Sequence, residues 1–280
     1  MSKARKSLKT ALIISLIGAV ILAYTFIEPY WIETKIYDIK GDIPNEFNNY
    51  KIVFLSDIHH GPYFSKDRVK KVVDKANKMD ADLIILGGDY VHRNRKYIAP
   101  CFEELKNLKA KDGIYAVLGN HDHWEGKELS IQAIIGSDIR YIDNDAQWIY
   151  KNGSKIKIGG VGDYFEDKQI IGPTINDVSK EDFVILVSHN PDYVEDIKND
   201  KIDLVLSGHT HGGQITLFGL WAPIIPSKYG QKYRTGIVNT EYTKVMVSNG
   251  IGTITPPVRF FARPQINQII LKPSEAKHYN

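Results

Sequence analysis

Five short apolar runs in the chain each end, within a residue or two, on a side chain that can hold a metal ion. Residues 52–55 lead to Asp57 and His59, and residues 83–86 to Asp89. Residues 114–118 lead to Asn120 and His121, residues 184–187 to His189, and residues 204–206 to His209 and His211. Short β-branched runs bounded by Gly or Ser have the composition of strands buried on both faces of a mixed or parallel sheet. In such sheets ligands collect beyond the carboxyl ends of the strands, so the five junctions predict one shared edge. A single Asp or His after a strand is ordinarily a turn former or a helix cap. Five in series leave that reading little room.

A length of 280 residues, 43% hydrophobic and 25% charged, suits one large α/β domain or two small ones with a sizeable core. The formal charge of +3 is local in origin, because Lys3, Arg5, Lys6 and Lys9 precede every acidic residue. Setting those four aside from the 36 basic residues leaves 32 against 33 acidic ones. The body is therefore near neutral and carries no basic stripe interleaved with aromatics, so no nucleic-acid partner is expected.

Residues 11–27 carry no charge and as a helix would span roughly 25 Å, near the lower limit for crossing a bilayer. Basic residues precede the segment, while Glu28, Glu33 and Asp38 follow it. The positive-inside rule then predicts a single-pass anchor in the cell membrane, with the catalytic domain outside the cytoplasm. A cleaved signal peptide competes with this reading, but no small-x-small site closes the apolar core, and no Arg pair marks a twin-arginine signal. The chain divides into a basic N-terminus (1–10), a transmembrane signal-anchor (11–27), a juxtamembrane linker (28–48), a catalytic domain (49–273) and a polar tail (274–280) that includes His278.

Ser65 is a candidate N-cap for a helix with Val69, Val72, Val73, Ala76 and Met79 on one face. Further helices are expected over 100–108 and 127–135, and Asn190-Pro191 has the form of a cap followed by Pro at the first helical position. A breaker-rich linker holds a candidate edge strand at 34–39. Strand-like runs at 155–158, 214–217, 244–247 and 266–271 call for a second sheet packed on the first.

Cys101 is the only cysteine and falls in the apolar-periodic stretch with Phe102, Leu105 and Leu108, where packing is its expected role. Any metal must therefore be held by nitrogen and oxygen. Imidazole and carboxylate together suit Mn, Zn or Fe. The candidates outnumber the ligands of one tetrahedral ion, whereas two ions about 3.5–4 Å apart, bridged by a carboxylate, clamp both oxygens of an in-line phosphoryl displacement. Two divalent ions, less the charges of Asp57, Asp89 and a bridging hydroxide, leave about +1, which attracts an anionic substrate.

Asp57-Ile58-His59, Gly88-Asp89, Gly119-Asn120-His121-Asp122, His189 and Gly208-His209-Thr210-His211 resemble, in that order, the motif set of the calcineurin-like metallophosphoesterases, over roughly residues 50–271. The resemblance implies a four-layer α/β/β/α sandwich of two mixed β-sheets flanked by helices, with a dinuclear centre at the strand ends. It implies Asp57, His59, Asp89 and His211 as ligands of one ion, and Asp89 as bridge with Asn120, His189 and His209 for the other. His121 would sit beside the phosphate as acid for the leaving group or as transition-state donor, with a metal-activated hydroxide attacking. The serine/threonine phosphatase branch orients that His with an Asp three residues after the bridge; here the position is His92, so orientation falls to Asp122, a backbone carbonyl or another group.

Residues 208–215, then Pro226-Ser227-Lys228-Tyr229-Gly230 and Val247-Ser248-Asn249-Gly250-Ile251-Gly252-Thr253, resemble the bacterial membrane-associated branch typified by the YkuE and YaeI phosphoesterases. That branch includes hydrolases of UDP-diacylglucosamine, so the resemblance points to envelope-lipid or nucleotide-linked lipid phosphoesters, although substrate does not travel with fold. A non-catalytic metal-binding scaffold and a nucleic-acid or nucleotide phosphodiesterase are the rivals. His60, His92 and His123 flank the motifs and either contact phosphate or, as loop histidines more often do, face solvent or cap a turn; Arg234, Arg259 and Arg263 are candidates for a phosphate or head group, although any one such arginine is more often a solvated surface charge. Leu217, Phe218, Leu220, Trp221, Ile224 and Ile225 form an apolar stretch that either packs a loop into the core or walls an acyl chain or bilayer. The sequence carries no statement of oligomeric state.

Overall fold

Alternation inside the apolar runs decides the architecture. In β2 (Lys51–Leu55), Ile52 and Phe54 enter one buried cluster and Val53 and Leu55 another; in β3 (Leu83–Leu86) Leu83 and Ile85 part in the same way from Ile84 and Leu86. Such strands need cover on both faces. In the computed structural model, which describes residues 3–274, that cover is a second sheet on one side and helices on the other. Residues 275–280, with His278, lie outside the described residues.

The first sheet also holds β1 (Glu33–Gly41), β4 (Ile114–Ala116), β5 (Arg140–Tyr141) and β12 (Gln265–Pro273), in the order β1-β12-β2-β3-β4-β5. The second holds β6 (Ala146–Lys151), β7 (Ser154–Gly160), β8 (Phe183–Val187), β9 (Leu204–Ser207), β10 (Gly236–Asn239) and β11 (Lys244–Val247), in the order β10-β11-β9-β8-β7-β6. Both sheets are mixed: β2, β3 and β4 run parallel, as do β7, β8, β9 and β11, while β12 is antiparallel to β2. Phe54, Ile85, Tyr115, Ile185 and Leu206 meet between the sheets.

Helices α2 (Lys66–Asn77), α3 (Ile98–Leu105) and α4 (Asn120–Gly136) cover the outer face of the first sheet. The buried face of α2 is Val69, Val72, Val73 and Ala76, as the periodicity predicts, and Ser65 precedes it in extended backbone without a side-chain cap bond. Cys101 is buried on α3. The outer face of the second sheet is covered more thinly, by α5 (Gly172–Ile175) and by 3-10 turns that contribute Tyr193, Val194 and Tyr233.

Three expectations change. The five ligand-bearing runs divide between the sheets, three in the first and two in the second, so the shared edge is where the carboxyl ends of both meet. Residues 266–271 belong to β12 of the first sheet, and residues 214–217 form a loop with only single bridges, Ile215 to Phe260 and Leu217 to Trp221. The helix expected at 127–135 begins at Asn120, because Asp122 accepts the Gly119 N–H at 3.0 Å, and it kinks at Gly126, whose φ is 151°.

Helix α1 (Lys3–Ile27) is long and apolar enough to cross a membrane, with mean hydropathy 2.4 in its most apolar stretch. Its end is fastened to the body. The Thr25 carbonyl accepts the Arg259 N–H at 2.9 Å, and the fully buried Glu28 carboxylate accepts the N–H groups of Phe261 and Ala262, each at 2.7 Å. The segment expected as a linker then forms β1, paired along its whole length with β12. Removing the carboxylate would leave one buried and one partly buried donor unpaired, so Glu28→Ala should destabilise the full-length protein by roughly 2–4 kcal/mol in thermal unfolding, and Glu28→Gln by less. Unchanged melting in both variants would show that the clamp is not formed.

Candidate metal centre

The ligand loops leave their strands through unusual backbone. Asp57, His59, Asp89, His209 and His211 all have φ between 49° and 67°, a left-handed conformation that non-glycine residues seldom adopt. Each such residue costs on the order of 1–3 kcal/mol and persists only where its surroundings over-determine it. Close approach also requires glycine: a Cβ at Gly119 would stand 2.3 Å from Asp89 Oδ1, and one at Gly208 would stand 2.3 Å from Asp57 Oδ2. The Gly residues of the motifs are thus spacing elements between loops of different strands.

The side chains meet in two buried groups whose donor atoms can hold a metal ion: Asp57, His59 and His211, and Asp89, His189 and His209. His59 Nε2 and His211 Nε2 face each other at 3.0 Å, and His211 Nε2 lies 3.5 Å from Asp57 Oδ1. Asp89 Oδ2 stands between the groups, 3.5 Å from His59 Nε2 and 3.3 Å from His189 Nε2. His209 Nδ1 is 3.3 Å from His189 Nε2. Asn120 follows β4, and its Oδ1 is buried without a hydrogen-bond partner. Converging imidazole nitrogens, two carboxylates and an orphaned amide oxygen form a donor set that fits divalent metal ions.

Electrostatics keeps most of these groups in ligating form; His189 is the exception, since its burial is outweighed by Asp89 and Asp57, which hold it well above the usual histidine range, so a metal ion would have to displace its proton. Burial and the neighbouring His189 push the His209 imidazole down to about 3, and burial holds His59 and His211 well below the usual histidine range, so all three are neutral. Burial opposes ionisation of Asp89, yet His189, His121 and His59 hold its carboxyl well below the ordinary value. Burial pushes Asp57 up to about 6, opposed by His189. The remaining oxygen valences are met by backbone: His209 N–H donates to Asp57 at 3.0 Å, and His121 N–H donates to Asp89 Oδ1 at 2.8 Å. His189 Nδ1 lies 2.7 Å from the Gly87 carbonyl, which turns its Nε2 toward the cluster.

His121 opens α4 beside this cluster. Its ring lies 4.7 Å from that of His59 and 4.7 Å from that of Trp124, and its Nδ1 is 3.4 Å from His92 Nδ1. Together His59, His92 and His121 form a third group of potential ligands. Asp122 faces elsewhere: its oxygens accept the N–H groups of Asp89 at 2.7 Å, Tyr90 at 2.9 Å and Gly119 at 3.0 Å. It fastens the β3 loop to the start of α4, and the group beside the His121 imidazole is His92. His60 is drawn away by the Phe64 carbonyl at 2.7 Å.

Arg259, expected as a candidate for binding a phosphate or head group, has a different place. It is fully buried, and its guanidinium reaches the carbonyls of Ala262 at 2.7 Å, Asn249 at 2.8 Å, His211 at 3.3 Å and Gly252. The Ser248–Thr253 stretch in turn donates to the first ligand loop, from Ile251 N–H to the Ser56 carbonyl at 3.1 Å and from Gly252 N–H to the Asp57 carbonyl at 2.6 Å. No periodicity in the sequence marks Arg259 as buried; the only signal is its position in an otherwise apolar stretch. Asp163 also escapes sequence reasoning, and it is buried with Oδ2 unpartnered. A cleft of about 300 Å³ between Gly41, Phe183 and Thr243 lies at the opposite, amino end of the strands, away from every ligand.

A family model described as calcineurin-like phosphoesterase matches residues 50–213. The chain is 33% identical over 255 residues to the uncharacterized metallophosphoesterase YkuE of Bacillus subtilis, a match covering 88% of each protein. It is 27% identical over 254 residues to a Danio rerio transmembrane protein with metallophosphoesterase domain, covering 85% of this chain and 57% of that one. The solved structure of Haemophilus influenzae NAD nucleotidase shares the fold, with a TM-score of 0.50 at 15% identity over 72% of this chain and 50% of that one. The match of sequence across more than half the chain agrees with what its loops assemble: the chain belongs to the calcineurin-like phosphoesterases, and its chemistry is metal-dependent phosphoester hydrolysis.

Proposed function

We propose that the chain is a membrane-anchored phosphoesterase with two transition-metal ions, Mn, Zn or Fe, acting on a lipid-bearing phosphoester or pyrophosphate. The observation that carries the dinuclear reading is the position of Asp89 Oδ2, within 3.5 Å of a ligand nitrogen from each group. Asp57, His59 and His211 would hold one ion, and Asn120, His189 and His209 the other, with Asp89 between them. When bound, such ions neutralise phosphoryl charge and lower the pKa of water. The chain's own part is to orient. Gly87 sets the His189 tautomer, Asp122 sets the backbone of the Asp89 and Asn120 loops, and His121, at the edge of the cluster, gives a proton to the leaving oxygen or donates to a phosphoryl oxygen.

An apolar cavity beside the ligands supports the substrate class. It measures about 170 Å³ and is walled by Ile215, Pro223, Ile224, Pro226, Ile254 and Pro256, with His211 also in its lining. An acyl chain or similar apolar moiety fits such a wall while the phosphate faces the metals. The apolar α1, and a relative described as a transmembrane protein, support anchoring beside such substrates. The charge asymmetry about α1 supports a domain that lies outside the cytoplasm. Scaffold relatives of this fold usually lose a ligand, and the presence of every candidate here supports turnover over that rival.

Elemental analysis of active protein should approach two metals per chain. Asp89→Ala should remove metal and activity together. His121→Ala should keep the metals while turnover falls by roughly 10²–10⁴, most for poor leaving groups. Equal metal loss in both variants would displace His121 from its assigned role. Protease added to intact spheroplasts should digest the domain, and protection would invert the orientation. Ile224→Ser with Ile254→Ser should raise KM more than about tenfold for an acylated substrate, given about 0.8 kcal/mol for each buried methylene lost, with p-nitrophenyl phosphate little affected. A uniform fall on both substrates, with lower melting, would assign these side chains to packing instead.

A further inference from the structure

The apolar stretch after His211 does not pack into the core. Leu220 is 81% exposed, Ile224 77% and Phe218 66%, and Leu217 and Trp221 are exposed beside them. Single exposed apolar residues are ordinary, but a contiguous group on one loop is not. Nor is this loop unformed. Leu217 N–H donates to the Trp221 carbonyl at 2.7 Å, Gly219 N–H to Thr216 Oγ1 at 2.9 Å, and the Gln231 side chain brackets Ala222 through both its N–H and its carbonyl. A tip whose backbone groups find partners within the protein can leave water at lower cost than an open loop.

Its position is set by the end of α1. Phe218 packs on Phe261 at 5.5 Å between ring centroids, Phe261 on Tyr24 at 5.8 Å, and Tyr24 on Trp31 at 5.8 Å. The row therefore runs without a break from the apolar loop to the last turn of the candidate membrane helix. The buried Glu28 carboxylate fixes Phe261 and Ala262 to that turn, so the loop cannot swing independently of it. Arg263, exposed and 5.3 Å over the Trp31 ring, and Lys35 border the cleft between the two. Aromatic rings and basic groups around the end of an apolar helix are what the head-group layer of a bilayer accepts.

We propose that residues 217–224, with Phe261 and Trp31, form a surface that dips into the same bilayer leaflet as the end of α1, holding the metal centre at the membrane face in a fixed orientation. This rests on reading α1 as a membrane anchor. The occupant of the apolar surface is phospholipid, and continuity with α1 is the reason for choosing it over a protein partner. The opening beside His211 then faces the head-group layer, since Ile215 and Ile224 belong both to the loop and to the cavity wall.

The test uses the full chain reconstituted in phosphatidylcholine–phosphatidylglycerol vesicles, with one environment-sensitive fluorophore on a cysteine placed at Leu220, Ile17 or Tyr150. Cys101 is buried and gives little background. Melting of each labelled protein checks that it is folded. The Leu220→Cys probe should be quenched by nitroxide lipids at least about twofold more than the Tyr150→Cys probe, and shielded from aqueous iodide, as expected for side chains seated in the interface. A lipid-embedded probe at Ile17→Cys together with a Leu220→Cys probe that behaves like Tyr150→Cys would overturn the inference and leave the anchor standing. An aqueous response at Ile17→Cys would overturn the anchor itself, and this inference with it.

Discussion

Every candidate ligand side chain sits where neither water nor apolar packing can satisfy it. Asp57, His59, Asp89, Asn120, His189, His209 and His211 are all buried at the junction of the two sheets. Taking even one carboxylate out of water costs several kcal/mol unless partners replace the solvent. The partners here are backbone groups of other loops: the β9 loop donates to Asp57, and the start of α4 donates to Asp89. Each acid therefore ties a strand to a loop from elsewhere in the chain. The left-handed backbone at five ligands persists because this wiring leaves the loops no relaxed alternative.

The wiring continues outward. Asp122 holds three N–H groups from two loops, and Arg259 gathers carbonyls from the His211 loop and the stretch after β11. Burial pushes Arg259 down to about 10, still charged at neutral pH, and among the described residues no carboxylate is hydrogen-bonded to it. Its charge is spread over carbonyl dipoles, an arrangement that a lysine, whose three donors radiate from one nitrogen, cannot reproduce. Through Arg259 and Glu28, ligand loop and helix end share one set of hydrogen bonds.

What could be read in the sequence follows from which forces are local. The short continuous apolar runs at 52–55 and 83–86, and the helical face from Val69 to Ala76, declare buried strands and an amphipathic helix without reference to the rest of the chain. The convergence of the candidate ligands was legible because each follows such a run. Their division between two sheets was not, since Val184 and Leu204 carry no mark of the sheet they join. Residues 214–217 have strand composition but no neighbouring strand to pair with, and tertiary context overrode propensity. The roles of Asp122, Arg259 and Glu28 depend on backbone groups far away in sequence, which no local pattern reveals.

Strand β1 has a bearing on how the domain can be set free from its helix. It lies at the edge of the first sheet and covers β12 over nine paired residues, with Lys35 and Lys40 on the outer strand. Charged residues on an edge discourage sheet-to-sheet addition. A protease cutting before Glu33 would release a domain whose sheet remains closed. A cut after Gly41 would strip away that guard and leave β12, rich in Ile and Leu, as a bare edge open to self-association. A cut in the few residues between helix and strand would thus shed the domain without baring that edge, at the cost of the bonds Glu28 makes to Phe261 and Ala262.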